Sequence, residues 1–378
     1  MTISEMQNDV SMVLGDEQRD LQAAVRRFLT DRAPLSRAAE MLEPRVAGDD
    51  RVWQTLTADL GLAALTVPEE SGGAGAGAFE LAIVLEETGK VLLVSPFFAT
   101  TALATPALLT SPADAAKQLL EQIAAGQLTA TFALPALAGE QSSLTVSGSG
   151  DDARISGTAR FVVNGADVDR IIVTTADGAG VYVVARNADG VRISECASTD
   201  PTRPLAHLTF ADTPAVTLGT GADAERMIRH AENTATVMLA AESAGAARAA
   251  LEMIVEYAKT REQGGKPIGS HQALKHLLAD ARLEVEAATA AARRAAVDLS
   301  VAPPGERLRC YLSAKAFAAE ALFTAASVNI QAHGAIGFTW EHNAHLYFKR
   351  ATSGRRMLGS TTDIRDRLAA DFLAATAK

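Results

Sequence analysis

The spacing of apolar residues changes twice along this chain, and no single-layer fold accommodates all three patterns. From about Asp16 to Gly126, Leu21, Val25, Phe28 and Leu29, then Trp53, Leu56 and Leu60, then Phe79, Leu81, Ile83, Val84 and Leu85 follow helical spacing. From Gln127 to about Thr220 the chain turns rich in Val, Thr, Ser, Gly and Asp. Short runs such as Leu144-Thr145-Val146, Phe161-Val162-Val163, Ile171-Ile172-Val173 and Val181-Tyr182-Val183-Val184 appear, with Asn164-Gly165 and Asp177-Gly178 as turns. From Ala222 the helical pattern returns in long stretches: Met227 to Arg261, Ser270 to about Ser300, Pro303-Pro304 to about Ala332, and shorter ones from Trp340 and Thr362. The expected architecture is α+β: an N-terminal helical domain (1–126), a middle antiparallel β-barrel domain (127–221) and a C-terminal four-helix-bundle domain (222–378).

Composition narrows the partners. A formal net charge of −10 over 378 residues argues against nucleic acid. An anionic substrate would therefore need a local basic patch. Cys196 and Cys310 are the only cysteines, too few for a disulfide scaffold or a structural zinc site, which predicts a reduced, cytoplasmic setting. Met1–Leu14 lacks an apolar signal core, and no stretch reaches the roughly 18 apolar residues of a membrane span. The loop Gly72–Gly77 superficially resembles a dinucleotide loop, but no βαβ context surrounds it. Glu341, His342 and His345 have spacing that could hold a metal, though histidines three apart are common on wet helix faces.

The stretch Arg261-Glu262-Gln263-Gly264-Gly265-Lys266-Pro267-Ile268-Gly269-Ser270-His271-Gln272 carries the chemistry. It closes a long helix with a Gly-Gly break and a proline, and Ser270 is placed to cap the next helix. An arginine, a glutamine and a new helix N-terminus converge there, which suits a diphosphate. The stretch resembles the R-x-Q-F-G-x-P-I-x-x-[FH]-Q signature of acyl-CoA dehydrogenases, with Gly264 where that family has Phe. Four further segments resemble the family in order. They are Gly61-Leu62 leading to Pro68-Glu69-Glu70-Ser71-Gly72-Gly73, Ile155 to Gly165, Gln331-Ala332-His333-Gly334-Ala335-Ile336-Gly337, and Trp340-Glu341-His342 with His345, Tyr347, Lys349 and Arg350. The last accompanies bulky, often steroid-derived, substrates in that family.

The resemblance implies FAD as cofactor and α,β-dehydrogenation of an acyl-CoA thioester. It assigns adenine-side contacts to Arg261, Gln263, His271, Gln272, Gln331 and Gly334, made to a flavin held mainly by a neighbouring subunit. It places Phe161 against the flavin ring. The reaction requires a carboxylate base in a dry pocket. In the family that base occupies one of two positions, which here are Leu358, ahead of Gly359-Ser360, and Ala235 on the long helix; both are apolar. The adjacent arginine for CoA is Thr236, and the hydroxyl that bonds the flavin ring is replaced by Val163. The segment Ala133–Gln141 has few of the expected hydroxyl and acidic groups.

The implied role is a subunit that completes the site of a second, catalytic acyl-CoA dehydrogenase subunit in a heterotetramer, with acyl-CoA bound mainly by that partner. Two alternatives stand beside it. One is an active homo-oligomeric dehydrogenase whose base is displaced to Glu242, two turns beyond Ala235, or to Glu232, three residues before it. The other is a flavin-free structural pseudo-enzyme. Arg261 with Gln272 also reads as an ordinary helix-helix turn, and Gln331 with Gly334 as an ordinary helix end. The run Lys349, Arg350, Arg355, Arg356 reads as one solvated basic face, or as a surface for an acidic subunit.

Overall fold

The computed structural model describes residues 13–40, 50–134, 143–301 and 304–376. The N-terminal part is helical: α1 (Asp16–Arg32), α2 (Leu35–Glu40), α3 (Asp50–Ala58), α4 (Ala78–Lys90), a π-helical turn (Ala99–Ala104) running into α5 (Thr105–Leu109), and α6 (Asp114–Ala124). Helix α1 buries Val25 and Leu29, one turn apart, as its spacing predicts.

Eight strands follow, β1 (Ala130–Phe132), β2 (Thr145–Ser147), β3 (Arg154–Val163), β4 (Arg170–Thr174), β5 (Gly180–Ala185), β6 (Val191–Glu195), β7 (Leu205–Pro214) and β8 (Val216–Thr220). They form two four-stranded sheets, ordered β1-β4-β5-β8 and β2-β3-β7-β6. The Thr131 hydroxyl on β1 donates to the Val163 carbonyl on β3 at 2.7 Å, joining the two sheets on one side. The sheets are antiparallel with one exception: β1 runs parallel to β4. Between these strands the chain visits the other sheet through β2 and β3, so it re-enters in the original direction.

Strands β4 and β5 read as unbroken apolar runs because both faces are buried. Ile171, Val173, Tyr182 and Val184 face the core between the sheets. Ile172, Val181 and Val183 join the core shared with the helices.

The C-terminal part is built on α7 (Ala222–Thr260), α8 (Gln272–Val301), α9 (Pro304–His333), α10 (Ala344–Gly354) and α11 (Thr361–Thr376). At 39 residues α7 spans about 58 Å. It is buried along most of its length, and its alanines and glycine let neighbours approach closely. A Cβ on Gly245 would fall 1.9 Å from the Glu86 carbonyl oxygen of α4, and one on Gly89 would fall 2.1 Å from that of Glu242. Helices α4 and α7 therefore cross backbone against backbone. Flanking ion pairs fix α4: Arg293 grips Glu86 with two hydrogen bonds of 2.8 and 2.7 Å, and Arg26 grips Glu87 at 3.1 and 2.9 Å. One hydrophobic core runs from Val25 of α1 to Ala296 of α8, uniting N- and C-terminal helices.

Candidate active site

The residues expected to grip the adenine side lie at one end of the helical bundle. After α7 ends, Glu262–Gln263 and Lys266–Pro267 pair as a minimal hairpin. Gly264 and Gly265 turn it with φ of +62° and +77°, the conformation that two-residue hairpin loops require. A phenylalanine at Gly264 would be strained there whatever space it found. Ser270 does not cap α8: its hydroxyl donates to the Pro267 carbonyl at 2.7 Å, and the first helical acceptor is the His271 carbonyl. Arg261, Gln263, His271 and Gln272 are solvent-exposed. Gln272 approaches only His276, at 3.5 Å.

Helix α9 ends beside them. Its terminal His333 stacks on Tyr257, one turn before Arg261, with ring centroids 4.1 Å apart. Gln331 is exposed, and Gly334 stops the helix with φ +65°. Arg261, Gln272 and Gln331 are each exposed, and no ion pair to Arg261 is found among the described residues.

Phe161 is not on that surface. It sits at a bulge in β3, with φ +52°, and its ring meets His207 edge-on at 4.7 Å. It opens onto a cavity of about 230 Å³ between the sheets and α10, together with Val163, Leu205, Met357, Arg203 and Arg356. No residue of the bundle end lines this cavity among the described residues. Val163 is buried and carries no hydroxyl. Of the segment Ala133–Gln141, only Ala133 and Leu134 lie within the described residues.

Both base positions are core. Ala235 is fully buried on α7, and Leu358 is buried with φ +58°. Glu242 is not a free carboxylate. Arg203 donates to its Oε2, and Arg350 Nη1 lies 3.2 Å from its Oε1. Arg350 also donates to Asp200 at 2.8 Å, and Asp200 accepts from Thr202 and Ser353. Asp200, Arg203, Glu242 and Arg350 form a buried, charge-balanced quartet. Burial opposes the Asp200 charge, yet Arg350 and the Thr202 hydroxyl hold its carboxyl below the usual range. The Arg203 guanidinium rests 4.5 Å above Phe98, which leads into the π-helical turn. Glu232 differs: it makes no side-chain ion pair among the described residues, and burial pushes its carboxyl up against the pull of Arg367.

The basic run is not one face. Consecutive helical residues point apart. Lys349 lies 4.3 Å over the Trp340 ring, Arg350 turns inward to the quartet, Arg355 pairs with Glu320 at 2.9 Å, and only Arg356 is exposed. His342 stacks on His333 at 4.2 Å, and His345 meets Trp340 at 4.7 Å. No group of three or more His, Cys, Asp or Glu suited to a metal occurs among the described residues. Among them, too, no helix is long and apolar enough to cross a membrane.

N-terminal helices, a two-sheet middle and a C-terminal helical bundle give the chain the acyl-CoA dehydrogenase fold. The family model for the acyl-CoA dehydrogenase N-terminal domain matches residues 15–127, and that for the C-terminal domain matches 226–373. The chain belongs to the acyl-CoA dehydrogenase family, a family of FAD-dependent oxidoreductases. It is 36% identical to the acyl-CoA dehydrogenase IpdE2 of Mycobacterium tuberculosis, over 85% of this chain and 86% of that protein. Among solved structures it is similar to a point variant of the steroid ACAD Tcur3481-Tcur3483, with 28% identity, TM-score 0.84, and 97% of this chain and 100% of that one covered. It is also similar to the ChsE4-ChsE5 complex of Mycobacterium tuberculosis, with 26% identity, TM-score 0.86, and 96% and 99% covered.

Proposed function

We propose that this chain is the base-free subunit of a heteromeric acyl-CoA dehydrogenase, lending Arg261, Gln272 and Gln331 to a flavin whose ring sits in a catalytic partner. The observation that carries this reading is the split between the two half-sites. Arg261, Gln272 and Gln331 are exposed, and Arg261 makes no ion pair among the described residues, whereas both base positions are buried apolar residues and the Val163 side chain offers no hydroxyl. When bound, FAD supplies the hydride acceptor for α,β-dehydrogenation. Arg261 would neutralise its diphosphate with charge-assisted hydrogen bonds, Gln331 would add a neutral bond, and Gln263, His271 and Gly334 would shape the surface around them. Relatives described as paired complexes, and one described as a steroid ACAD, support a second subunit and a steroid-derived acyl-CoA substrate.

A second reading is favoured by Glu232, whose unpaired, raised carboxyl has the character of a base on the same helix face as Ala235. Anaerobic mixing separates the two. The chain alone, given excess FAD and a steroid-side-chain acyl-CoA, should leave the flavin's visible absorbance unchanged, and adding the partner should bleach it. Bleaching by the chain alone would refute the base-free reading and point to Glu232.

A further inference from the structure

Residues 334–343 lead from the end of α9 to the start of α10. Their outer side is open: Phe338 is 67% exposed and Trp340 is 55% exposed. Hydrogen bonds inside the segment are local. The Thr339 amide and hydroxyl donate to the Ile336 carbonyl, and the His342 amide donates to the Thr339 carbonyl. Rings and one small residue tie the segment to the helices. His342 stacks on His333, the last residue of α9, and Trp340 meets His345 in the first turn of α10. Gly337 is buried, where a Cβ would fall 3.0 Å from that of His333.

The two stacked histidines use their Nδ1 atoms in opposite ways. His333 Nδ1 lies 2.9 Å from the Asn329 carbonyl oxygen, so it carries a hydrogen and donates. His342 Nδ1 accepts from the Ala344 amide at 3.1 Å, so it is unprotonated. Ala344 opens α10, and His342 thereby satisfies one of the amides that a helix start leaves without an intrahelical acceptor. A proton on His342 Nδ1 would turn this acceptor into a donor aimed at an N–H. It would also set a cation at the positive end of the α10 dipole and against the face of His333.

We infer that His342 is a proton-sensitive clasp: neutral, it holds residues 334–343 to α9 and α10, and acid releases them beside Gln331. Burial and His333 hold His342 below the ordinary imidazole value. The released segment takes up the proton at about pH 6.5 and the closed one resists it. The clasp is therefore closed above about pH 6.5 and loosens as pH falls toward the closed-state value. Two other imidazoles surround it. His333 is held down by burial and backed by Tyr257 of α7, and His345 is pushed down to about 4 by burial, Lys349 and His342. Neither accepts from a backbone amide among the described residues, so their protonation breaks no helix-start bond. Glu341 is exposed and makes no ion pair among the described residues. Every group involved belongs to this chain, so the inference does not rest on the proposed partnership.

Hydrogen exchange of the full chain, read by mass spectrometry over residues 334–346 as protection relative to the unfolded peptide, tests the clasp. Between pH 7.5 and pH 5, protection should fall roughly tenfold, as one pKa unit of difference between closed and released states would give. Helix α7 should stay protected throughout. His342→Asn keeps an acceptor for the amide two residues on but does not titrate, so the drop should vanish. His342→Ala should give low protection at both pH values, and His345→Gln should keep the drop. Equal protection at both pH values in the unaltered chain would overturn the assignment. So would a drop that survives His342→Asn, one that disappears in His345→Gln, or one shared equally by α7.

Discussion

Arg203, from the loop before β7, donates to the carboxylate of Glu242 in the middle of α7, so that carboxylate is occupied before any substrate arrives. With Arg350 on its other oxygen, Glu242 joins the middle sheets to the bundle rather than facing a reactant. Breaking a buried pair by removing one partner costs roughly 3–5 kcal/mol. Glu242→Gln keeps a hydrogen-bond acceptor but removes the charge. It should lower the unfolding midpoint clearly while leaving turnover of the assembled complex, per folded molecule, within about twofold. A loss of two or more orders of magnitude in rate, the scale of a missing general base, would make Glu242 the base after all. The same measurement on Glu232→Gln should leave both turnover and stability nearly unchanged.

Arg261→Ala should weaken FAD retention in the complex. A charge-assisted hydrogen bond contributes about 1.5–3 kcal/mol, or at least tenfold in dissociation constant. Gln331→Ala should have a smaller effect, since a neutral bond is weaker. Flavin titration of the two variants checks the order. Unchanged affinity in Arg261→Ala would reduce the motif to a helix-connecting hairpin.

The crossing of α4 and α7 leaves no room for a methyl group. With Gly245 Cβ positioned 1.9 Å from a carbonyl oxygen, Gly245→Ala must push the helices apart. Overpacking of this kind costs about 1–3 kcal/mol or more, so denaturant unfolding should show a marked loss. Gly264→Ala, with open space around it, should lose only the backbone strain of its positive φ.

The histidines at the bundle end make stability depend on pH. Burial holds His333 and His342 below the ordinary imidazole value, and burial with Lys349 and His342 pushes His345 down to about 4. The unfolded chain takes up these protons near pH 6.5 and the folded chain resists them. Their contribution is thus complete above about pH 6.5 and is lost as pH falls toward the folded values. Urea unfolding should show lower stability at pH 5 than at pH 7.5, and His345→Gln should flatten that difference. Equal stability at both pH values in the unaltered chain would contradict this assignment.

Much of the architecture is legible in apolar spacing, because burial dictates it locally. The one-turn spacing of Val25 and Leu29 marks α1, and the unbroken run Ile171 to Val173 marks a strand buried on both faces. What escapes is whatever depends on distant partners. The parallel pairing of β1 with β4 follows from a detour through the other sheet, which no local pattern records. The quartet joins Arg203 to Glu242, 39 residues apart, and Asp200 to Arg350, 150 residues apart. In the sequence Arg350 reads as part of a basic surface run; only the helical rotation between neighbours turns it inward. Ser270 has the composition of a cap but spends its hydroxyl on the preceding turn.

The most direct test of the account is flavin stoichiometry. The chain purified alone should carry little FAD, because Val163 lacks the hydroxyl expected to bond the ring and both expected base positions, Ala235 and Leu358, are buried apolar residues. Purified with its catalytic partner, the complex should hold about one FAD per pair of chains, with each flavin spanning the two. Stoichiometric flavin in the isolated chain, or two flavins per pair, would contradict the account.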